Sequence, residues 1–335
     1  MQDFKTILVA NNHLEGIGGT ETFTFTLIEA LLKKHYVVEY FTFKKGEASN
    51  KIEKNLGVNF MSKSKYDLIL ANHNTCVNYL SRKGIIIQTC HGIFPKLEQP
   101  NKHADGHVGI SEEVINHLTN KGFEARLIVN GINCDRFNIA QPINQNLTNV
   151  LSLSQSSVAN LKIEAACKQL NLNFKKFNKY VNPIWNIEKD INQADLIVGL
   201  GRSAYDAMAC GRTVLVYDER EYTKSYADGY LKPDMVDLCV KNNCSGRYFK
   251  KQFEVEDLVL ELKKYNSNDG QKLRDIALEN FNINYQVDKY LMYAQSLNKK
   301  SNGFSLLLAF MFQDIKIKSR QFRHFRKQLF KTKKS

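Results

Sequence analysis

Two glycine-containing loops carry residues that could bind an anion. One is Gly16-Ile-Gly-Gly-Thr-Glu21 and the other is Gly199-Leu-Gly-Arg-Ser203, and each stands between a short apolar run and a helical pattern. Glycine lets the backbone approach a ligand closely, and the first turn of a helix offers free N–H groups to an anion. The pattern favours a diphosphate at these loops, although a glycine turn that only reverses the chain explains the first loop equally well.

The second loop also supplies charged side chains. The groups predicted to donate hydrogen bonds to a phosphate are the backbone N–H groups of Ser203 and Ala204 and the guanidinium of Arg202. Asp206 stands one helical turn later, where its carboxylate can accept two hydrogen bonds from a ribose diol. The structural alternative is that Ser203 caps the helix and Asp206 interacts with the helix dipole.

A dinucleotide site of the Gly-x-Gly-x-x-Gly type fits the first loop poorly. That spacing requires glycine at position 21, where Glu21 stands, although Glu39 lies about 20 residues farther on, as the ribose-binding acid of such a site would. We therefore expect a different phosphate-containing ligand.

His91 follows a predicted strand directly and is followed by Gly92. Ligands of open α/β sheets bind at the carboxyl ends of the strands, so His91 is a candidate to hydrogen-bond a substrate hydroxyl or phosphate. The structural alternative is a tight His-Gly turn. His13 follows the first predicted strand in the same way, with a weaker signal.

Short apolar runs alternate with helical patterns along the chain, which predicts parallel sheets covered by helices on both faces. A polar segment without periodicity, 139–149, separates two such series. Helices are predicted from Thr20, as N-cap, to Lys34 and from Arg202 to Cys210. The predicted strands are Thr6–Ala10, Val37–Phe43, Asp67–Ala71, Gly84–Gln88, His107–Ile110, Arg126–Val129, Val150–Leu153, Ala194–Gly199 and Thr213–Tyr217.

In this order, the segments resemble glycosyltransferases of the GT-B fold, family 4 in particular. That family has a Gly-Gly-x-Glu loop, a His-Gly after a middle strand, a Ser that leads a helix, an Asn-Gly-Ile/Val-Asp/Asn segment with a following Phe, and a Glu-Ala-Met-Ala-x-Gly-x-Pro-Val stretch. The matching residues are Gly18–Glu21, His91-Gly92, Ser111, Asn130–Asn133 with Phe137, and Asp206–Val214.

The resemblance implies an α/β fold with two Rossmann-like doubly wound parallel-sheet domains that face a cleft. It implies a hexosyltransferase-type enzyme that uses a UDP- or GDP-linked sugar, retains the anomeric configuration, and needs neither a separate cofactor nor a metal ion. No Asp-x-Asp motif occurs in the sequence. The implied site residues are His91 and Asp206 in catalysis, and Gly18, Gly19, Arg202, Ser203, Ala204 and Asp206 in donor binding.

Two positions depart from the family pattern. The first of two family glutamates falls at Val198, and Gln155 stands where an arginine is usual; Lys162 is displaced from the usual lysine position by about two residues. These departures keep open a degenerate GT-B module that binds a glycan or a partner without catalysis. A second alternative is a nucleotide-sugar epimerase, since such enzymes share the two-domain architecture.

The 335 residues include 47 Lys and Arg against 34 Asp and Glu, and the excess is concentrated at one end. Residues 303–335 hold nine basic residues and one acid, with apolar residues at helical spacing. This favours an interfacial helix on an anionic membrane over a helix packed on the protein or an RNA-binding tail. We expect no nucleic-acid partner, and membrane-bound glycan or lipid-linked acceptors.

Localisation and domain limits complete the predictions. Seven cysteines without a Cys-x-x-Cys motif, and an N-terminus unlike a signal peptide, predict a cytoplasmic protein that is peripheral on the inner face of the membrane. The predicted segments are an acceptor-side domain at 1–142, a nucleotide-sugar domain at 148–282, a C-terminal helical region at 283–302 and a basic amphipathic tail at 303–335.

Overall fold

The computed structural model describes residues 4–179, 181–220 and 226–297, which belong to one compact unit. The predicted tail at 303–335 lies outside the described residues. The strands are β1 (Thr6–Ala10), β2 (His13–Leu14), β3 (Val37–Phe41), β4 (Lys44–Lys45), β5 (Leu68–Ala71), β6 (Ile85–Cys90), β7 (Gly106–Gly109), β8 (Ala125–Leu127), β9 (Asn149–Ser152), β10 (Asn173–Lys176), β11 (Leu196–Gly199), β12 (Thr213–Tyr217) and β13 (Ala227–Tyr230).

Helices connect these strands and cover the sheets. They are α1 (Gly19–Lys33), α2 (Glu47–Leu56), α3 (Asn74–Leu80), α4 (Glu112–Asn120), α5 (Ser157–Gln169), α6 (Ile187–Gln193), α7 (Arg202–Ala209), α8 (Val236–Val240), α9 (Val255–Leu262), α10 (Asn268–Asn280) and α11 (Ile283–Ser296). Short 3-10 turns occur at Lys96–Glu98 and Pro233–Met235.

Two sheets define two lobes. The first lobe, residues 4–127, is built on six parallel strands in the order β3-β1-β5-β6-β7-β8. The second lobe, residues 149–281, is built on the order β10-β9-β11-β12-β13, in which only β13 is antiparallel. The predicted fold class, two doubly wound parallel-sheet lobes, is confirmed. The exact domain boundaries stay predictions.

Burial on both faces explains the continuous apolar strands. In β1, Ile7 and Val9 pack in the core that includes α1, whereas Leu8 and Ala10 pack in the core that includes α3. Because successive strand residues point to opposite faces, every residue of such a strand must be apolar when helices cover both faces.

Most predicted elements are confirmed, with shifts of a few residues at their ends. Strands β1 and β12 have the predicted limits, and Ser111 caps α4 by accepting a hydrogen bond from the N–H of Val114. The prediction of Thr20 as the N-cap of α1 is wrong, because Gly18 occupies that position and the Thr20 hydroxyl donates to Glu21 instead.

The chain returns to the first lobe at its described C-terminal end. The N–H of Ile132 donates to the carbonyl of Phe281 at 2.7 Å, and the N–H of Ile283 donates to the carbonyl of Ile132 at 2.9 Å. Helix α11 then packs in the core of the first lobe, where the hydroxyls of Tyr290 and Thr89 are 2.9 Å apart. The segment after β8 and the start of α11 therefore link the two lobes.

Candidate functional site

A cleft of about 960 Å³ lies between the two lobes, at the carboxyl ends of their central strands. His73 and His91 line it just after β5 and β6, and His13 lines it from β2, which follows β1. Gln155 and Gly201 line it after β9 and β11. This is the edge at which open α/β sheets bind ligands. The cleft contains most of the predicted site residues, including Gly19, Arg202 and Ser203.

A smaller cavity, of about 160 Å³, lies where the start of α1 faces the start of α7. Two of its residues have buried polar atoms with no hydrogen-bond partner among the described residues: Asp206 at Oδ1 and Arg136 at Nε. A buried polar atom without a partner costs about 1–3 kcal/mol. An unpaired acceptor and an unpaired donor on two residues that line one cavity therefore favour a polar ligand beside them. Apolar residues form much of the remaining wall, namely Ile17, Phe137, Leu153, Phe177, Ile184, Trp185 and Ile187.

Asp206 has the electrostatics of a buried ligand-binding carboxylate. Burial raises its pKa to about 6, and the charges of Arg202 and Arg136 oppose that shift. Its Oδ2 lies 3.6 Å from the Nε of Arg202. The carboxyl group is therefore mostly ionised at pH 7, and its Oδ1 is buried without a hydrogen-bond partner among the described residues.

Arg202 lies at the junction of the cavity and the cleft. Its Nη2 donates to Oγ1 of Thr26 at 3.0 Å and its Nη1 donates to the carbonyl of Gly131 at 3.5 Å. Only 11% of the side chain is exposed. Because a guanidinium has five N–H bonds, these contacts leave donors for an anion in the cleft.

The other predicted donors of this loop are less open. The N–H of Ser203 is directed to the carbonyl of Leu200 at 3.3 Å, and the N–H of Ala204 donates to the carbonyl of Gly201 at 3.0 Å. Ser203 lines the cavity, whereas the Ala204 side chain is fully buried. An anion at the start of α7 would therefore meet Arg202 and the Ser203 hydroxyl more readily than these two backbone groups.

The carboxylate of Glu21 folds back over the start of its own helix. Its Oε2 lies 2.5 Å from the place that a β-carbon would take at Gly18, so a larger residue there would displace this carboxylate. The same oxygen accepts the Thr20 hydroxyl at 3.0 Å. The first turn of α1 thus already holds an internal anion. At Gly19, in contrast, a β-carbon would meet nothing within 4 Å, so the approach from the cleft is open.

His13 pairs with that carboxylate, since its Nε2 is 3.3 Å from Oε1 of Glu21. The hydrogen bond with Glu21 raises the pKa of His13. Burial opposes ionisation of Glu21, but the bond with His13 and the neighbouring donors bring its pKa below the ordinary value. His73 stacks on His13 at 5.6 Å, and burial lowers the pKa of His73 to about 4.

His91 is a neutral imidazole with a defined proton position. The Nδ2 of Asn72 donates to Oγ1 of Thr24 at 2.9 Å, so Oδ1 of Asn72 must accept from Nε2 of His91, 3.1 Å away. Burial lowers the pKa of His91 to about 3. The unprotonated nitrogen is therefore Nδ1, and a hydrogen bond with the Asn130 side chain partly opposes the fall in the pKa. Phe23 packs against the ring edge to face at 4.9 Å.

The loop after β9 donates hydrogen bonds to the buried carboxylate of Asp218, which directly follows β12. Asp218 accepts hydrogen bonds from the N–H groups of Gln155 and Ser156, each at 3.2 Å, and from the Ser154 hydroxyl. Arg220 also donates to it through Nε at 2.7 Å. Because an internal acid uses these donors at the start of α5, they are not open to a ligand anion.

The residues that depart from the family pattern have structural partners. The Nε2 of Gln155 donates to the carbonyl of Leu153 at 2.9 Å, and its side chain lines both the cavity and the cleft. Lys162 is paired with Glu219 and Glu254. Val198 is fully buried in the core of β11, so a group at position 198 does not reach the cleft.

Neither a metal cluster nor a spanning helix occurs in the described ranges. Among residues 4–179, 181–220 and 226–297, no three His, Cys, Asp or Glu side chains are grouped so that they could hold a metal ion. In that same part of the chain, no helix is both long and apolar enough to cross a membrane.

Arg136 is a charged residue of the cavity that sequence reasoning missed. It belongs to the segment after Asn130-Gly131, which the sequence indicates only as a turn. Its guanidinium lies over the rings of Phe25 at 5.6 Å and Phe137 at 5.2 Å, which orients it toward the cavity. No local pattern places an arginine from the lobe connection beside an aspartate 70 residues later.

The architecture of this chain is similar to that of several solved structures. No family profile matches the sequence, and no curated protein matches it. A glycosyltransferase from Rickettsia africae has a TM-score of 0.58 and 14% identity, over 90% of this chain and 100% of that one. MnaA from S. aureus, solved with UDP, has a TM-score of 0.52 and 10% identity, over 90% and 99%.

A plant structure has the same arrangement. The catalytic domain of starch synthase IV from Arabidopsis thaliana, bound to ADP and acarbose, has a TM-score of 0.51 and 11% identity, over 88% of this chain and 99% of that one. These similarities extend over nearly the whole described chain and show that it has the GT-B fold.

Proposed function

We propose that this protein is a glycosyltransferase that moves a hexose from a UDP- or GDP-linked donor to a glycan or lipid-linked acceptor. Acceptors of the cell-surface polysaccharide or lipopolysaccharide type suit a protein with a basic amphipathic tail. In this proposal the reaction needs no metal ion or additional cofactor. The family resemblance implies that it retains the anomeric configuration.

The observation that carries this proposal is the unpaired Oδ1 of Asp206 in the cavity between α1 and α7. A ribose diol supplies the two donors that a carboxylate accepts, and Nε of Arg136 offers a donor to the same ligand. The aromatic wall of Phe177 and Trp185 suits the flat base of a nucleotide. Structures of this fold have been solved with UDP and with ADP, which supports a nucleoside diphosphate here.

Arg202 is the proposed diphosphate ligand, with Gly19 as the open backbone opposite it. When the bond between sugar and diphosphate breaks, negative charge builds on the leaving phosphate. A guanidinium that is mostly buried stabilises such charge more strongly than one in water. His91 would accept a hydrogen bond from the donor sugar through Nδ1. In this way each lobe contributes to the same reaction.

The proposed location is the cytoplasmic face of a membrane. Residues 303–335 carry a net charge of +8, and each basic residue near an anionic surface contributes about 1 kcal/mol to binding. Such a tail would keep the enzyme near lipid-linked acceptors.

A thermal-shift screen of the full chain tests nucleotide binding, with UDP, GDP, ADP, UDP-glucose, UDP-N-acetylglucosamine and GDP-mannose as probes. A ligand present at 100 times its Kd stabilises the folded state by about 2.7 kcal/mol. We expect at least one probe to raise the melting temperature of the wild type. Asp206→Ala is the matched variant, and it should stay folded, lose this shift and lose transfer activity. Absence of a shift with every probe would reject the proposal.

A second candidate is a GT-B module that binds glycan or a partner protein without catalysis. Glu21 already occupies the first turn of α1, and Gln155 provides no positive charge. Release of nucleoside diphosphate from the probes with lipid-linked and glycan acceptors separates the candidates. Release that depends on the acceptor supports the transferase, whereas nucleotide binding without release under any condition favours the module. Turnover of the donor that needs no acceptor would indicate an epimerase.

A further inference from the structure

One carboxyl group in the cleft has no role in the chemistry proposed above. Glu98 ends the 3-10 turn Lys96–Glu98 and lines the cleft on the side of the first lobe. Its N–H donates to the carbonyl of Pro95 at 3.1 Å, but its carboxylate has no hydrogen-bond or ion-pair partner among the described residues, and the residue is only partly exposed. The acid beside it on the same wall, Glu21, is paired with His13. Glu98 is therefore the carboxyl group that this wall leaves for a ligand.

The glycine of the His-Gly segment makes room for this carboxyl group. Oε2 of Glu98 lies 2.8 Å from the place that a β-carbon would take at Gly92. The φ angle of Gly92 is not positive, so its backbone conformation does not require glycine. A side chain at position 92 would instead displace the carboxylate of Glu98 from its present place.

The loop that carries Glu98 is held by side chains that bond its backbone. The Nε2 of Gln99 donates to the carbonyls of Ile93 at 3.1 Å and Pro95 at 3.0 Å. The Nδ2 of Asn74 donates to the carbonyl of Lys96 at 2.7 Å. A functional group on a fixed loop meets a ligand without a large loss of conformational freedom.

The surroundings of Glu98 suit a neutral partner that donates hydrogen bonds. Burial raises the pKa of Glu98 to about 7; the negative charge of Glu21 adds to that shift and the positive charge of Lys179 opposes it. Near neutral pH the group is thus divided between its two protonation states, and an oxygen accepts a hydrogen bond in either one.

We infer that Glu98 recognises a hydroxyl group of the sugar that the nucleotide carries, an inference that rests on the proposed function. One continuous cleft contains both Arg202, the proposed diphosphate ligand, and Glu98 on the opposite lobe. The sugar is covalently joined to the diphosphate, so it extends from Arg202 into this cleft. Glu98 is then a specificity-determining residue for the donor sugar.

Isothermal titration calorimetry tests the inference by comparing each nucleotide-sugar with its nucleoside diphosphate. The probes are UDP, UDP-glucose, UDP-N-acetylglucosamine, GDP and GDP-mannose. The variants are compared with the nucleotide-sugar that binds the wild type most tightly and with its nucleoside diphosphate. We expect Glu98→Ala to weaken binding of the nucleotide-sugar about tenfold, as for a lost hydrogen bond to a charged group. Binding of the nucleoside diphosphate should stay within about twofold. Glu98→Gln retains an acceptor oxygen and should lose less.

Two further variants guard against a purely structural effect. Glu279→Gln removes an exposed acid in α10, outside the cleft, and should bind as the wild type does. Gly92→Ala should displace Glu98 and weaken nucleotide-sugar binding, while the double variant with Glu98→Ala should be no weaker than Glu98→Ala alone.

The inference is overturned if Glu98→Ala binds the nucleotide-sugar as tightly as the wild type, or if both ligands weaken equally. A wild type that binds none of the probes would overturn the proposed function as well. The two failures are distinguishable, because the first is seen only in a protein that does bind nucleotide.

Discussion

The Nη2 atom of Arg202 donates a 3.0 Å hydrogen bond to the Oγ1 atom of Thr26, and this bond joins α7 of the second lobe to α1 of the first. The same threonine hydroxyl donates to the carbonyl of Thr22 at 2.8 Å, so its oxygen is oriented as an acceptor toward Arg202. Asp206 lies on the other side of the guanidinium. This contact between the lobes therefore helps to position Arg202, the proposed diphosphate ligand.

Thr26→Val should destabilise the protein, because it removes this acceptor and keeps the shape of the side chain. A buried charged donor that loses its partner costs about 1–3 kcal/mol in the free energy of unfolding. Urea denaturation followed by circular dichroism measures the change.

Thr22→Val is the matched control for that substitution. Its hydroxyl bonds only carbonyls at the start of α1, so we expect a loss of less than about 0.5 kcal/mol. Equal losses in the two variants would show that the bond between the lobes is not the cause.

Asp206→Asn should weaken nucleotide binding and change how stability depends on pH. Burial raises the pKa of Asp206 from 3.8 to about 6, so the folded protein holds this proton more tightly than the unfolded chain does. The wild type therefore loses stability as the pH rises from 3.8 through about 6. The Asp206→Asn variant should not lose stability in this way, because an asparagine side chain does not titrate.

Thermal unfolding over a pH series measures this effect. At pH 7.5 we expect Asp206→Asn to melt at a higher temperature than the wild type, and the difference should shrink or reverse near pH 4. At pH 7.5 it should also bind the tightest nucleoside diphosphate probe at least tenfold more weakly. If the melting temperatures of the two proteins changed with pH in parallel, the raised pKa would not belong to Asp206.

The pair of His13 and Glu21 should stabilise the fold within a window of pH. The raised pKa of His13 contributes stability that is complete below 6.5 and is lost as the pH rises through the folded value. The lowered pKa of Glu21 contributes stability above 4.5 that is lost as the pH falls through its folded value. The contribution is therefore largest between these limits.

Glu21→Gln tests this pair. Its melting temperature should lie below that of the wild type in weakly acidic buffer, and the gap should narrow once His13 is deprotonated. Nuclear magnetic resonance titration of His13 gives the direct measurement, and its pKa should fall in the variant. An unchanged titration of His13 would show that the carboxylate does not act on it.

Neutralisation of the tail should weaken membrane binding. Changing Arg320, Arg323 and Lys327 to glutamine removes three charges from 303–335. At about 1 kcal/mol for each basic residue, binding to vesicles of phosphatidylglycerol and phosphatidylcholine should weaken about 100-fold. Vesicle sedimentation at low and high salt measures the change.

The control variant removes three charges from the lobes instead of the tail. It changes three exposed lysines to glutamine: Lys54, Lys65 and Lys272. It should bind vesicles nearly as the wild type does. An equal loss in both variants would indicate that net charge, and not the tail, attracts the protein to the vesicles.

The sequence alone determined the elements and several of the cleft residues. Strands such as β1 and β12 are continuous apolar runs, and the helix start at Arg202 follows a glycine loop, so local periodicity and capping predict them. Because parallel strands present their carboxyl ends at one edge, the sequence also placed His91, Gly19 and Arg202 near one cleft. Asp206 followed from its position one turn inside a helix.

Only the tertiary structure decided which of these groups are open to a ligand. Glu21 closes the first turn of α1 by folding over Gly18, Asp218 uses the donors at the start of α5, and Glu98 enters the cleft from a loop without any motif. Local patterns reflect the conformations of neighbouring residues along the chain. Whether a polar atom is satisfied depends on partners that are distant in sequence, and these meet only when the two lobes pack together.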